Sequence, residues 1–96
     1  MFAVIFKARI KQLDDEYYQA AQQMRELAIN LYGCVDFTSL TEGNEEISIS
    51  YWKNEQQIEK WKQDPEHRAV QLLGQTRWYD SYQVEVVEVI RKYSQK

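Results

Sequence analysis

Between Tyr51 and Tyr82 the chain gathers most of the side chains whose chemistry goes beyond packing: Tyr51, Trp52, Trp61, His67, Arg77, Trp78, Tyr79 and Tyr82. His67 is the only histidine, which excludes a His-cluster metal site, and Asp64 and Glu66 beside it are weak ligand spacing. An imidazole titrates near neutral pH, so against a cavity it serves as hydrogen-bond donor or general base. In the first turn of a helix it is otherwise structural or solvated. Trp61, at helical spacing from Ile58, reads as core or as cavity wall. Trp78 and Tyr79 stand between a helix and the last strand, where bulky aromatics plug a sheet edge. Arg77 either grips an anionic or quinone oxygen or pairs with a surface carboxylate. Phe37 and Tyr51 count with Trp61, Trp78, Tyr82 and Arg77 as candidate ligand-binding residues. Cys34 reads as a small buried hydrophobe, and Asp36 as a strand residue facing solvent. There is no Ser-His-Asp spacing, phosphate-cradling glycine loop or dinucleotide fingerprint. No cofactor is expected.

The composition is that of a packed globule: 96 residues, 44% hydrophobic and 14% aromatic. That length suits a single domain, residues 1–96. Net charge is −3, and lysines and arginines are scattered, which argues against nucleic acid. One cysteine leaves no internal disulfide. Without a basic segment leading a long apolar run, neither a secretion signal nor a membrane span is expected, so the cytoplasm is the expected compartment. Seven tyrosines and three tryptophans suit an interface or a cavity as well as a core.

The elements that must position these side chains follow from periodicity. Phe2 to Ile10 alternates, with Phe2, Val4, Phe6, Ala8 and Ile10 on one face. Asp14 and Asp15 suit a helix cap, and Tyr17, Ala20, Ala21, Met24, Leu27, Ala28 and Leu31 recur as an inner stripe up to Gly33, a helix stop. Cys34 to Leu40 reads as a second strand, and Glu42-Gly43-Asn44 as the turn of a hairpin. In the third strand Ile47, Ile49 and Tyr51 alternate with Ser48, Ser50 and Trp52. Asn54 and Gln57 resemble a capping box, and Asp64-Pro65 breaks the second helix and restarts it. The restarted piece presents Val70, Leu73 and Gly74 inward and frays near Gly74. Tyr82 to Tyr93 closes the chain as a long strand.

This order is β-α-β-β-α-β, the ferredoxin-like α+β pattern: a four-stranded antiparallel sheet with helices on one face. Val84, Val86 and Ile90 fall on one face of the last strand, and Val87 and Val89 on the other. A strand apolar on both faces wants cover on both, and a second copy of the sheet supplies it, so a homodimer is expected.

From Tyr51-Trp52, through Trp61, Asp64-Pro65-Glu66-His67 and Trp78-Tyr79, to the Val-rich last strand, the chain resembles the antibiotic biosynthesis monooxygenase family of dimeric α-β barrel proteins. The resemblance implies two subunits packed sheet to sheet, and in each a pocket between sheet and helices. It further implies a cofactor-independent monooxygenase that oxidises an aromatic phenol or quinol with molecular oxygen, the substrate's electron-rich ring activating the oxygen. His67 would be the base, and Trp61, Trp78 and Tyr82 would hold the ring. A related haem-degrading branch uses an Asn on the first strand, a Trp on the second helix and a His further along it. Trp61 fits, but Lys7 stands near the Asn position and Gln71 near the His, with His67 one turn earlier. Haem degradation is therefore disfavoured. A non-catalytic dimer that binds an aromatic or haem-like ligand is the alternative, and a third reading makes the aromatics core and interface only.

Overall fold

The computed structural model describes residues 1–95. In chain order the elements are β1 (Phe2–Ile10), α1 (Asp15–Leu31), β2 (Asp36–Glu42), β3 (Glu45–Trp52), α2 (Glu55–Lys62), α3 (Pro65–Leu73), a π-helical turn (Gly74–Trp78) and β4 (Tyr79–Glu88). The strands form one antiparallel sheet in the order β2-β3-β1-β4. This is the ferredoxin-like α+β fold expected from the sequence.

The helix ends are made by the side chains their positions suggest. Asp14 Oδ1 accepts from the Tyr17 amide at 2.9 Å and opens α1. Gly33, at φ +83°, turns the chain out of that helix. Asn54 Oδ1 accepts from the Gln57 amide at 2.9 Å, while Gln57 Oε1 reaches back to the Lys53 amide, one residue beyond the N-cap amide of a regular capping box. Asp64 Oδ1 accepts from the Glu66 and His67 amides, so α3 starts at Pro65.

Strand alternation sorts the two sheet faces. Val4, Phe6 and Ala8 of β1 lie beside Ser50, Ser48 and Glu46 of β3, and beside Val86, Val84 and Tyr82 of β4. That face carries the helices. Ala3, Ile5 and Lys7 lie beside Tyr51, Ile49 and Ile47 on the outer face. The helix-side interior forms two clusters rather than one. Val4, Ala28, Cys34, Trp52, Ile58 and Trp61 make the first. Tyr17, Ala20 and Trp78 make the second, with Val70, Leu73 and Tyr79 against it.

Four expectations are corrected. The second strand begins at Asp36, not Cys34, because the Cys34 amide is committed to Ala28 O of α1 and the thiol lies 3.2 Å from Asp36 O. The chain does not fray at Gly74; it widens there into a π turn. Leu31, placed on the inner stripe of α1, is exposed at its last residue. The last strand runs Tyr79–Glu88 rather than Tyr82–Tyr93, because its partner runs out: Phe2 faces Glu88, and the Val89 amide takes the last carbonyl, Met1 O. Beyond that bond the alternation lapses. Ile90, expected beside Val84 and Val86, lines a shallow groove with Ala3, Ile5, Ile49 and Tyr51 on the outer face.

Candidate functional site

Two core clusters leave a gap between them. A cavity of about 750 Å³ lies there, floored by the helix-side residues of the sheet and roofed by α1, α2 and α3. A volume of that order takes a ligand of several rings.

His67 reaches the cavity from the first turn of α3. Its ring lies over the Trp61 indole, centroids 4.0 Å apart and planes 24° from parallel. The Asp64-Pro65 break makes this contact: it ends α2 just after Trp61 and aims the next helix back across it. Nδ1 lies 2.9 Å from Trp61 O. A carbonyl oxygen only accepts, so Nδ1 carries the proton and donates, leaving the Nε2 lone pair free. Burial holds the imidazole below its ordinary pKa, opposed by that bond and by the Asp64 charge. The resting side chain is a neutral imidazole with a fixed tautomer, the form a general base requires.

Other contacts hold this arrangement in place. Asp64 Oδ2 accepts from Tyr32 Oη at 2.5 Å, tying the start of α3 to the end of α1. That bond, followed by the two backbone amides and His67, keeps the Asp64 carboxyl below the usual carboxylate range. Trp61 is wedged among Trp52, Phe37 and His67, with ring centroids at 5.2, 6.1 and 4.0 Å. Its buried Nε1–H has no hydrogen-bond partner among the described residues.

At the far end of the cavity stands a group that the sequence reading passed over. Glu46 is 4% exposed, and its carboxylate accepts from Tyr17 Oη and, at 3.1 Å to each oxygen, from Tyr79 Oη. Burial, and then the Glu46 carboxylate, push both phenols well above their ordinary pKa, so they remain donors. The signal was present in the sequence: Ser48, Ser50 and Trp52 share the helix-side face, and two residues back along the same alternation lies Glu46.

The remaining candidates separate. Phe37 and Tyr82 line the cavity with Trp61 and His67. Tyr82 stacks on Phe6 at 5.7 Å, and its hydroxyl accepts from Gln75 Nε2 at 2.7 Å. Trp78 contributes wall but is 2% exposed, packs edge-on to Tyr17 and donates from Nε1 to Asp14 Oδ1 at 3.1 Å. Arg77 does not line the cavity. It bonds Asp14 Oδ2 at 2.6 Å and Glu16 Oε1 at 2.8 Å, the surface pairing weighed for it. Tyr51 lies on the outer face, where the parity of β3 puts it, and cannot share a pocket with Trp61. Arg25 and Lys62, not singled out beforehand, also line the cavity, and neither forms a salt bridge among the described residues.

No helix among the described residues is long and apolar enough to cross a membrane. The sequence model of the antibiotic biosynthesis monooxygenase family matches residues 1–72. The uncharacterized protein YqjZ of Bacillus subtilis is 34% identical over 92 residues, spanning 95% of this chain and 81% of its own. The jasmonate monooxygenase of Pyricularia oryzae is 28% identical across 93% of this chain, which spans only 43% of that longer protein. Among solved structures, SnoaB, a cofactor-independent oxygenase from Streptomyces nogalater, superposes with a TM-score of 0.80 at 10% identity, covering 98% of this chain and 97% of its own. A conserved protein from Methanosarcina mazei superposes with a TM-score of 0.78 at 15% identity, covering 90% and 89%. At those identities the structural likeness concerns the fold.

Proposed function

Because the chain belongs to the antibiotic biosynthesis monooxygenase family, we propose that it is a cofactor-independent monooxygenase oxidising an aromatic phenol or quinol with molecular oxygen. The observation that carries this is His67: a neutral imidazole of fixed tautomer, stacked on Trp61, at the wall of a cavity large enough for a fused-ring substrate. Nε2 takes the proton of a ring hydroxyl. Arg25 and Lys62, which also line the cavity, favour the oxyanion left behind. The electron-rich ring then reduces oxygen: a ring carbon forms a C–O bond, its C–H is lost, and the second oxygen atom leaves as water with the proton His67 returns. A phenol and one O₂ thus become a quinone and one water. Trp61, Phe37 and Tyr82 hold the ring and keep bulk water from it.

The outer sheet face supports a homodimer. Leu40 and Ile47 stand there 71% and 44% exposed, beside Ile5, Ile49 and Tyr51. Packing against a second copy's sheet covers this row.

Oxygen uptake over a panel of naphthols and quinols is the test. We expect turnover of at least one, with His67→Ala lowering kcat by about 10²–10⁴ while ligand affinity changes only a few-fold. A ligand retained in native mass spectrometry with no oxygen consumed would replace this reading with that of a non-catalytic binding dimer.

A further inference from the structure

The Glu46 end of the cavity is a poor place to leave a carboxylate without reason. The group is buried, no lysine, arginine or histidine pairs with it among the described residues, and its partners are two neutral phenols. Burying a charge without a counter-charge is expensive, and two hydroxyl donors return only part of that cost. A carboxylate has about four acceptor sites, and among the described residues only two O–H protons are offered to it.

Its surroundings are aromatic and leave room. Along the cross-strand row Tyr82–Ala8–Glu46 the middle residue is an alanine, and Phe6, Glu46, Tyr79 and Tyr82 all line the cavity. Phe6 lies 5.4 Å from Tyr79 and 5.7 Å from Tyr82, centroid to centroid, so the rings form a continuous wall. A negative charge beside several aromatic rings is what an organic cation seeks, through ion pairing and cation–π attraction together.

Charge along the cavity is also divided. Lys62 follows Trp61 on α2, and Arg25 lies close enough to Cys34 of the same cluster to act on its thiol electrostatically. Glu46 bonds to Tyr17 of the opposite cluster. Glu46 and Trp52 stand six positions apart on β3, about 20 Å of extended strand. One end is therefore positive and the other negative.

We propose that Glu46, with Phe6, Tyr79 and Tyr82, forms a subsite for a protonated amine, and that the cavity takes an aromatic ligand carrying an ammonium group at that end. The ammonium supplies the missing counter-charge and two or three further donors. This holds whether or not the cavity carries out oxygen chemistry, so it does not stand or fall with the monooxygenase reading.

Calorimetric titration at pH 7 with 2-(2-naphthyl)ethylammonium and its neutral isostere 2-(2-naphthyl)ethanol tests it. The ammonium should bind at least ten-fold more tightly, and Glu46→Gln should abolish the difference while leaving the alcohol's affinity within about three-fold. Equal binding of the two probes, or a preference that survives in Glu46→Gln, overturns the subsite. Should that variant not fold, NOEs on the unaltered protein decide. Contacts from the probe's aminoethyl protons to the Tyr79 and Tyr82 rings support it, and contacts to Trp61 and His67 instead overturn it.

Discussion

The imidazole of His67 lies over the indole of Trp61 and donates to that same residue's backbone carbonyl, 2.9 Å away. One residue thus holds the ring by its face and fixes its tautomer. Since α2 ends immediately after Trp61, the contact depends on the helix break at Asp64-Pro65 and not on either helix alone.

A pH dependence follows. The folded pKa of His67 is depressed by burial, so below its ordinary value of about 6.5 the unfolded chain binds a proton that the folded one resists. Its contribution to stability is complete above that value and is lost as pH falls through the folded pKa. The base is active when neutral, so kcat/KM for a phenol should rise with pH through the same depressed value and then level off. Titrating the His67 ring protons by NMR beside the rate profile checks both. A midpoint above 6.5 would contradict the burial of the ring.

Gly74 opens the π turn, and a Cβ placed on it would stand 3.0 Å from Cδ2 and Cε2 of the Tyr79 ring. That ring is anchored at its hydroxyl by Glu46 and cannot swing aside freely. Glycine to alanine in a helix ordinarily stabilises by about 1 kcal/mol. Here we expect Gly74→Ala to destabilise by about 1–3 kcal/mol in urea denaturation, because the overpacking outweighs the propensity gain.

The two phenols on Glu46 act on one buried charge and should not be independent. Tyr17→Phe and Tyr79→Phe each remove a donor to a buried carboxylate, a loss of about 1.5–3 kcal/mol apiece. The double variant should depart from the sum by about 0.5 kcal/mol or more. Additive losses in a denaturation cycle would mean that the hydroxyls do not share Glu46.

Light scattering tests the sheet-to-sheet dimer. The native chain should elute at twice its 11.6 kDa, and Leu40→Asp together with Ile47→Lys should give the single-chain mass with the circular dichroism of the native protein. Both residues are already exposed on one subunit, so the substitutions leave its own interior untouched.

How much of this was legible in the sequence depended on whether a signal was local. The first helix, the hairpin and the start and restart of the second helix were, because Asp14, Asn54, Asp64 and Gly33 act on backbone a few residues away. The end of β4 was not: Val89 and Ile90 are as strand-like as Val86, and only the exhaustion of β1 stops the ladder. Trp61, His67, Phe37 and Tyr82, singled out by residue type and position, come together as lining of one cavity. Arg77 and Tyr51 were misassigned because type alone does not say which side of a sheet a residue occupies, or that Asp14 and Glu16 wait for a guanidinium across the fold. Glu46 was missed because a glutamate beside a turn looks solvated until the parity of its strand is followed.

The wide turn at Gly74–Trp78 has one more effect. It joins α3, whose residues come round every 3.6 positions, to β4, whose residues alternate, and five residues in that turn set the phase between the two. Tyr79 emerges at the Glu46 carboxylate, and because the pairing with β1 shifts by one residue between Arg9 and Ile10, Tyr82 returns to the same face three residues on. The joint works as a gear coupling: shorten it by one tooth with α3 held in place, and Asp80 instead of Tyr79 meets Ile10, so Glu46 loses a donor. A residue added at Gly43, in the turn between β2 and β3, leaves this joint untouched.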